Sequence, residues 1–245
     1  MSPRELFQAG KLNEAVQALS AELRDNPTDA RRRTFLFELL CFSGDFDRAR
    51  KHLELLAKEN QNAGMGALLL EGLMNSERTR NDVFEKKEFP HAPSSPTPIR
   101  GTLNGTPFED FRDADPRIGA RIEIYSAGAY IWIPLQHVER VEAEAPKRLR
   151  DQFWAHVIVQ TGPAFQQAEL GECYTPVLYP FSFKHPDENV RLGRMTVWED
   201  EDGQEIPYGQ KTFLVDGEEV SLLEIRKLEF EIPATEPAGE QAAAS

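Results

Sequence analysis

The stretch "SGDFDRARKHLELL", Ser43 to Leu56, repeats a spacing that the chain has already used in "AGKLNEAVQALSAEL", Ala9 to Leu23. Gly10 and Gly44, Leu12 and Phe46, Ala15 and Ala49, Leu19 and Leu53 occupy equivalent places, each pair 34 residues apart. A 34-residue echo in helical sequence is the signature of tetratricopeptide repeats, in which antiparallel helix pairs stack side by side. Each shared position has a physical reason. Gly10 and Gly44 fall where the first helix of a pair stops and the backbone must turn, with a positive φ expected. Ala15 and Ala49 fall where two helices cross closely, so a larger side chain there would overpack by about 1–3 kcal/mol. Leu12, Phe46, Leu19 and Leu53 fill the space between helices.

Around these two units the helical signals continue. "SPRELFQAG" offers Ser2 as an N-cap, Pro3 at the first helical position and Gly10 as the stop. "LNEAVQALSAELRDNP" carries apolar residues at 12, 15, 16, 19 and 23 and ends at Asn26-Pro27. "TDARRRTFLFELLCFSG" starts on Thr28 or Asp29, Asp45 caps the next helix, and "AGMGALLLEGLMNSERTRNDVFEK" reads as one further helix or two short ones. The equivalent of Pro27 in the second unit is Gln61, and Arg33 stands where such repeats often carry an aromatic. The reading is therefore two units and a closing helix, a stack short enough that its end is expected to pack on the rest of the chain.

From Pro90 to Pro116 lie six prolines, at 90, 93, 96, 98, 107 and 116. A stretch such as "FPHAPSSPTPIRG" suits neither a helix nor a central strand. The remainder is β-rich. "GARIEIYSAGAYIWIPL" alternates on both sides of Ser126-Ala127-Gly128, and "KTFLVDGEEVSLLEIRKLEFEI" folds back at Asp216-Gly217. The expected class is α+β with two domains: tetratricopeptide-like antiparallel helix pairs, then a β-rich domain with a mainly antiparallel sheet. The expected division is a helical domain at 1–89, a Pro-rich linker at 90–116, a β-rich domain at 117–233 and a disordered tail at 234–245.

Charge narrows the function. The formal net charge is −13. Residues 1–89 hold 14 of the 28 Lys/Arg and 15 of the 41 Asp/Glu, leaving 14 and 26 for residues 90–245, so the second part carries nearly all of the excess. Nucleic-acid binding needs a basic face and is not expected. The lone basic cluster, Arg31-Arg32-Arg33, lies beside Asp29 and Glu38 and reads as a solvated helix face. No apolar stretch approaches the roughly 20 residues of a membrane span, and no secretory pattern opens the chain. Two cysteines, Cys41 and Cys173, make no disulfide framework; a reduced, cytoplasmic protein is expected.

Catalytic patterns are missing. The five histidines, at 52, 91, 137, 156 and 185, show no metal-ligand spacing, and Cys173 with His185 has no flanking signature of a nucleophile and base. "WEDEDGQE" fails as a calcium loop, because Trp198 and Gly209 would occupy ligand positions. There is no phosphate-binding lysine loop, dinucleotide fingerprint or serine elbow. The reading is no catalytic residues, no metal and no cofactor. Tyr130 and Trp132 share one face of a strand, opposite Ile131 and Ile133, so that face is either covered or offered to a partner.

The ordered series "DPRIGARIEI", "AYIWIPLQHVERVE", "PKRLRDQFWAHVIV", "YTPVLYPFS", "VRLGRMTVWED" and "KTFLVDGEEVSLLEIRKLEFE", placed behind a short helical repeat, resembles the ImpE/SciE family, also called TagJ. The resemblance covers about residues 1–232. It implies a cytoplasmic, non-catalytic accessory protein of a type VI secretion system. It implies as partner the small subunit of the contractile sheath, bound through that subunit's N-terminal helix, with a link to sheath assembly or to recycling by the associated AAA+ unfoldase. No catalytic residues come with it. Two surfaces could take such a helix: the repeat face bearing Arg31, Thr34, Glu38 and Cys41, and the β-domain region around Tyr130, Trp132, Arg191 and Arg194. The readings from other classes are an enzyme with a site hidden in the β domain, which a cleft of mutually bonded acidic, His or Cys groups would favour, and a generic repeat scaffold.

Overall fold

A computed structural model describes residues 1–59, 64–89, 98–165 and 170–231. Five helices open the chain: α1 (Pro3–Gln8), α2 (Leu12–Asp25), α3 (Ala30–Phe42), α4 (Phe46–Glu59) and α5 (Gly64–Lys86). Their ends follow the sequence signals. Ser2 caps α1 in a reciprocal box with Glu5, Asp29 accepts from the Arg32 N–H at 2.9 Å, and Asp45 accepts from the Arg48 N–H at 3.2 Å. Gly10 and Gly44 adopt φ of +80° and +73°. The other shared positions face inward: Leu12, Ala15 and Ala49 are fully buried, and Leu19, Phe46 and Leu53 nearly so.

The second part contains β1 (Gly101–Leu103), β2 (Thr106–Phe108), β3 (Phe111–Asp113), β4 (Arg121–Ser126), β5 (Ala129–Pro134), β6 (Val138–Ala143), β7 (Trp154–Thr161), β8 (Gly171–Pro176), the short α6 (Glu188–Arg191), β9 (Thr196–Glu201), β10 (Gln204–Gly209), β11 (Thr212–Val215), β12 (Glu218–Ser221) and β13 (Lys227–Phe230). Eight of the strands form one sheet in the order β2-β1-β13-β6-β7-β8-β4-β5, all in antiparallel pairs. A three-stranded sheet, β12-β11-β3, and the β9–β10 hairpin complete the part. Each expected turn is present: Ala127-Gly128 joins β4 to β5 and Asp216-Gly217 joins β11 to β12, with φ positive at all four residues. "WEDEDGQE" is the β9–β10 turn, where the Gly203 N–H donates to Asp200 Oδ1 at 3.1 Å.

The linker expected at 90–116 is corrected over residues 101–113, which form three strands. β1 lies inside the large sheet beside β13, and β3 pairs with β11. Three-residue strands are too short for alternation to register. Pro107 fits because β2 is the sheet's edge, where one face of the backbone needs no ladder donor. Residues 90–97, with the densest prolines, and the tail from 232 onward lie outside the described residues. Pro146 is followed by a 3-10 turn, Leu149–Gln152.

Two apolar cores sit within the fold. One is enclosed by the β part and includes Ile124, Ile133, Val138, Val157, Phe213 and Leu228. The other lies within the helices but is completed by Tyr125, Phe153, Trp154, Leu178 and Leu192 of the second part. Phe153 meets the edge of Phe42 at 5.0 Å and lies 6.5 Å from Phe46. The end of the helical stack is thus packed on the β part, though not entirely: at the start of α5, Met65 and Leu68 remain exposed.

Candidate functional site

The helical and β parts meet at a buried polar cluster that no local pattern announces. Arg80, on α5, is 1% exposed and Glu123, on β4, is wholly buried. The Arg80 guanidinium donates to both Glu123 oxygens, at 2.7 and 2.9 Å, and to the Leu178 carbonyl at 3.0 Å. Lys211, also wholly buried, reaches Glu123 at 2.7 Å and Asp113 at 2.5 Å. Tyr130 donates its hydroxyl to Glu123, and Tyr125 donates to Glu77, one turn before Arg80. Burial alone would raise the Glu123 pKa, but Arg80 and Lys211 more than reverse this and hold its carboxyl well below the usual carboxylate range.

A buried constellation of acids and bases is the observation that would favour an enzyme, provided a cleft opens onto it. The cavity bordering it, lined in part by Glu77, Leu178 and Tyr179, has a volume of only ≈ 10 Å³. That is about the room of one water molecule, and every charge present is matched by another side chain. The cluster holds two layers together. Cys173 and His185 take separate partners, the Leu170 carbonyl and Glu199 respectively.

Tyr130, Trp132, Arg191 and Arg194 do not form an open second surface. Trp132 stacks at 6.0 Å on Phe89 and lies 5.7 Å from Phe84 of α5. Arg191 donates to the Asn13 side chain at 3.2 Å, and Arg194 donates to the carbonyls of Phe7 and Gln8, capping the end of α1. These side chains are occupied by the chain's own helices, because β5 and the segment after α6 lie against the helical stack. The repeat glycines belong to the same contact. A Cβ on Gly44 would come within 2.3 Å of the Phe183 ring, and one on Gly10 within 2.5 Å of Asn189 Oδ1.

A groove of ≈ 720 Å³ stays open between α1, α2 and α3 on one side and residues 147–149 on the other. Its apolar surface comes from Phe7, Leu19, Phe35 and Leu149, and the exposed Arg4, Arg31, Lys147 and Arg148 stand along its edges. Phe35 rests edge-on against Phe7 at 5.8 Å. Of the repeat-face residues singled out from sequence, Arg31 and Glu38 line this groove. Thr34 is not among its lining residues and donates its hydroxyl to the Ala30 carbonyl at 2.9 Å, while Cys41 is buried in the core. The solvated triplet Arg31-Arg32-Arg33 is also corrected. Only Arg31 is fully exposed; Arg32 pairs with Glu22 and Asp29, and Arg33 is buried and bonded to the Pro27 carbonyl. Sequence reasoning missed Phe35 and Leu149. Phe35 follows the helical spacing from Arg31 to Glu38 and could have been found; Leu149 could not, since only the docking of the two parts brings it there.

Burial within this groove raises the Glu38 pKa to about 7, against the pull of Arg150 and Arg148. The folded protein therefore holds a proton that an unfolded chain, titrating near its ordinary value of 4.5, has released. The contribution of Glu38 to stability is greatest below about pH 4.5 and is lost as the pH rises toward 7. Urea unfolding at pH 5 and pH 7.5 is expected to show a smaller loss of stability with rising pH in Glu38→Gln than in the parent.

Fold and site together define a short helical-repeat scaffold packed against one face of an antiparallel β part, with an amphipathic groove at the seam. Residues 105–229 match the ImpE protein family, and residues 6–70 match a tetratricopeptide repeat family. The chain belongs to the ImpE family. It is 28% identical over 270 aligned residues to the type VI secretion system accessory component TagJ of Pseudomonas aeruginosa strain PAO1, spanning 94% of this chain and 92% of that one. The crystal structure of protein VPA1032 from Vibrio parahaemolyticus shares the fold, with a TM-score of 0.82 over 95% of this chain and 98% of that one at 23% identity. No helix among the described residues is long and apolar enough to cross a membrane.

Proposed function

We propose that this chain is a non-catalytic accessory protein of a type VI secretion system, which binds the small subunit of the contractile sheath by taking that subunit's N-terminal helix into the groove between α1–α3 and residues 147–149. Bound there, it would support sheath assembly or hand the subunit to recycling, contacting the associated AAA+ unfoldase only through the sheath. The reading draws on family membership and on the accessory role named for the Pseudomonas relative. The observation that carries it is the groove itself: an apolar trough with charged edges is what an amphipathic helix requires. The cavity that Glu77 lines beside the buried acid–base cluster has room for about one water, which supports a role in binding rather than in catalysis.

The test is titration calorimetry of the full chain with the purified small sheath subunit. Phe35→Glu removes the ring from the trough and puts a charge in its place, and is expected to weaken binding at least about tenfold, the scale of a central contact, with the circular dichroism spectrum retained. Leu68→Ser, at the exposed start of α5, is expected to leave affinity within twofold. Unchanged binding by Phe35→Glu would move the site; loss of binding by Leu68→Ser alone would place it on α5.

A further inference from the structure

The edges of the groove differ from the rest of the molecule in charge. The chain carries −13 overall, yet the groove's lining has five cationic side chains against three carboxylates. Two of those carboxylates, Glu22 and Asp29, are consumed by Arg32. The third, Glu38, is partly buried, receives the Arg150 backbone N–H and faces Arg148. Lys147 is answered by the exposed Glu144. Arg4 and Arg31 have no carboxylate partner among the described residues, and both are exposed. They stand on α1 and α3, the helices that also supply Phe7 and Phe35 to the groove, with Arg148 on the opposite wall.

We infer that the groove selects an amphipathic helix whose apolar face is flanked by acidic side chains, held by Arg4 and Arg31 along one edge and Arg148 along the other. This rests on the docking reading above and specifies the chemistry of the partner. A basic helix of equal apolarity would set like charges against three guanidinium groups, and such juxtaposition is what interfaces use to reject a partner. The negative charge elsewhere does not reverse the preference. At physiological salt the screening length is about 8 Å, so a seated helix senses the edges of the groove rather than the chain's total charge. Arginine suits this task because its planar fork binds a carboxylate through two donors at once.

The probes are two synthetic peptides of 20 residues with the same leucine stripe, one flanked by Glu and the other by Lys. Each is labelled, and binding to the full chain is followed by fluorescence anisotropy at 50 and 300 mM NaCl. The Glu-flanked peptide is expected to bind at least tenfold more tightly at 50 mM, with the margin shrinking at 300 mM. In the Arg4→Glu/Arg31→Glu variant the order is expected to invert, and in Arg4→Gln/Arg31→Gln, which carries less risk to folding, to collapse toward parity. Equal binding of the two peptides, or tighter binding of the Lys-flanked one, overturns the inference. If the native sheath subunit still binds and Phe35→Glu still abolishes that binding, the docking reading survives such a result. If the sheath subunit and both peptides all fail to bind, the docking reading itself falls.

Discussion

Glu123→Ala is expected to lower the unfolding free energy by about 3–5 kcal/mol, the cost of removing one partner from a buried ion pair. For a chain of this size that corresponds to a drop in Tm of roughly 6–20 °C. The reason is the company Glu123 keeps. Its two oxygens accept from Arg80 twice and from Lys211 once. Without the carboxylate, two cations remain in a region with almost no exposure, beside a cavity with room for about one water. Lys211 keeps Asp113 as a partner; Arg80 keeps the edge of Glu77, at 3.3 Å. A double-mutant cycle separates this account from simple loss of packing. Arg80→Leu alone should be similarly damaging, since it leaves Glu123 buried with one cation, Lys211, and the Tyr130 hydroxyl. The double variant Arg80→Leu/Glu123→Leu should cost distinctly less than the two single changes added together, because the paired charges leave together: Lys211 keeps Asp113, and only Glu77 loses its cation. Strict additivity, read from urea unfolding, would falsify the claim that the pair acts as a unit.

The second large effect is expected at Gly44. Gly44→Ala should destabilise by about 2–5 kcal/mol through two separable causes. A φ of +73° costs an L-residue about 1–2 kcal/mol. The new methyl would also stand 2.3 Å from the Phe183 ring, where overpacking adds about 1–3 kcal/mol. Phe183 cannot retreat freely, since it is placed edge-on against Phe46 at 6.4 Å. Adding Phe183→Ala to the variant should therefore recover the steric share relative to Phe183→Ala alone, and leave the conformational share. If the cost of Gly44→Ala is the same with and without the Phe183 ring, the contact between repeat and β part contributes nothing, and φ alone explains the glycine.

Gly44 shows how far the sequence could be read. Its place in a 34-residue echo identified a turn with positive φ, because helix length and helix ending depend on neighbours within a few residues. That it also accepts a ring from residue 183 depends on a contact 139 positions away, for which the glycine carries no signal of its own. Tyr130 and Trp132 illustrate the same boundary. Alternation placed them on one face of a hairpin and left two readings open, a covered face or a partner's face. The docking of α5, with Phe84 laid against Trp132, decided for the covered face. Arg31 and Glu38 were singled out from helical spacing on α3, while the wall opposite them, Leu149 and Arg148, comes from a turn more than a hundred residues later.

The amino-acid sequence by itself determined the helix pairs, their caps, the main hairpins and the likeness to the ImpE family, since each is written in spacing or order along the chain. The tertiary structure alone decided the sheet order, the entry of residues 101–113 into the sheets, the Arg80–Glu123–Lys211 clamp and the groove at the seam. The physical reason is range. Periodicity and turn chemistry act over about one helical turn or one hairpin, whereas a buried ion pair or a groove exists only after separate elements have excluded water between them, and its members carry no mark of that meeting until it happens.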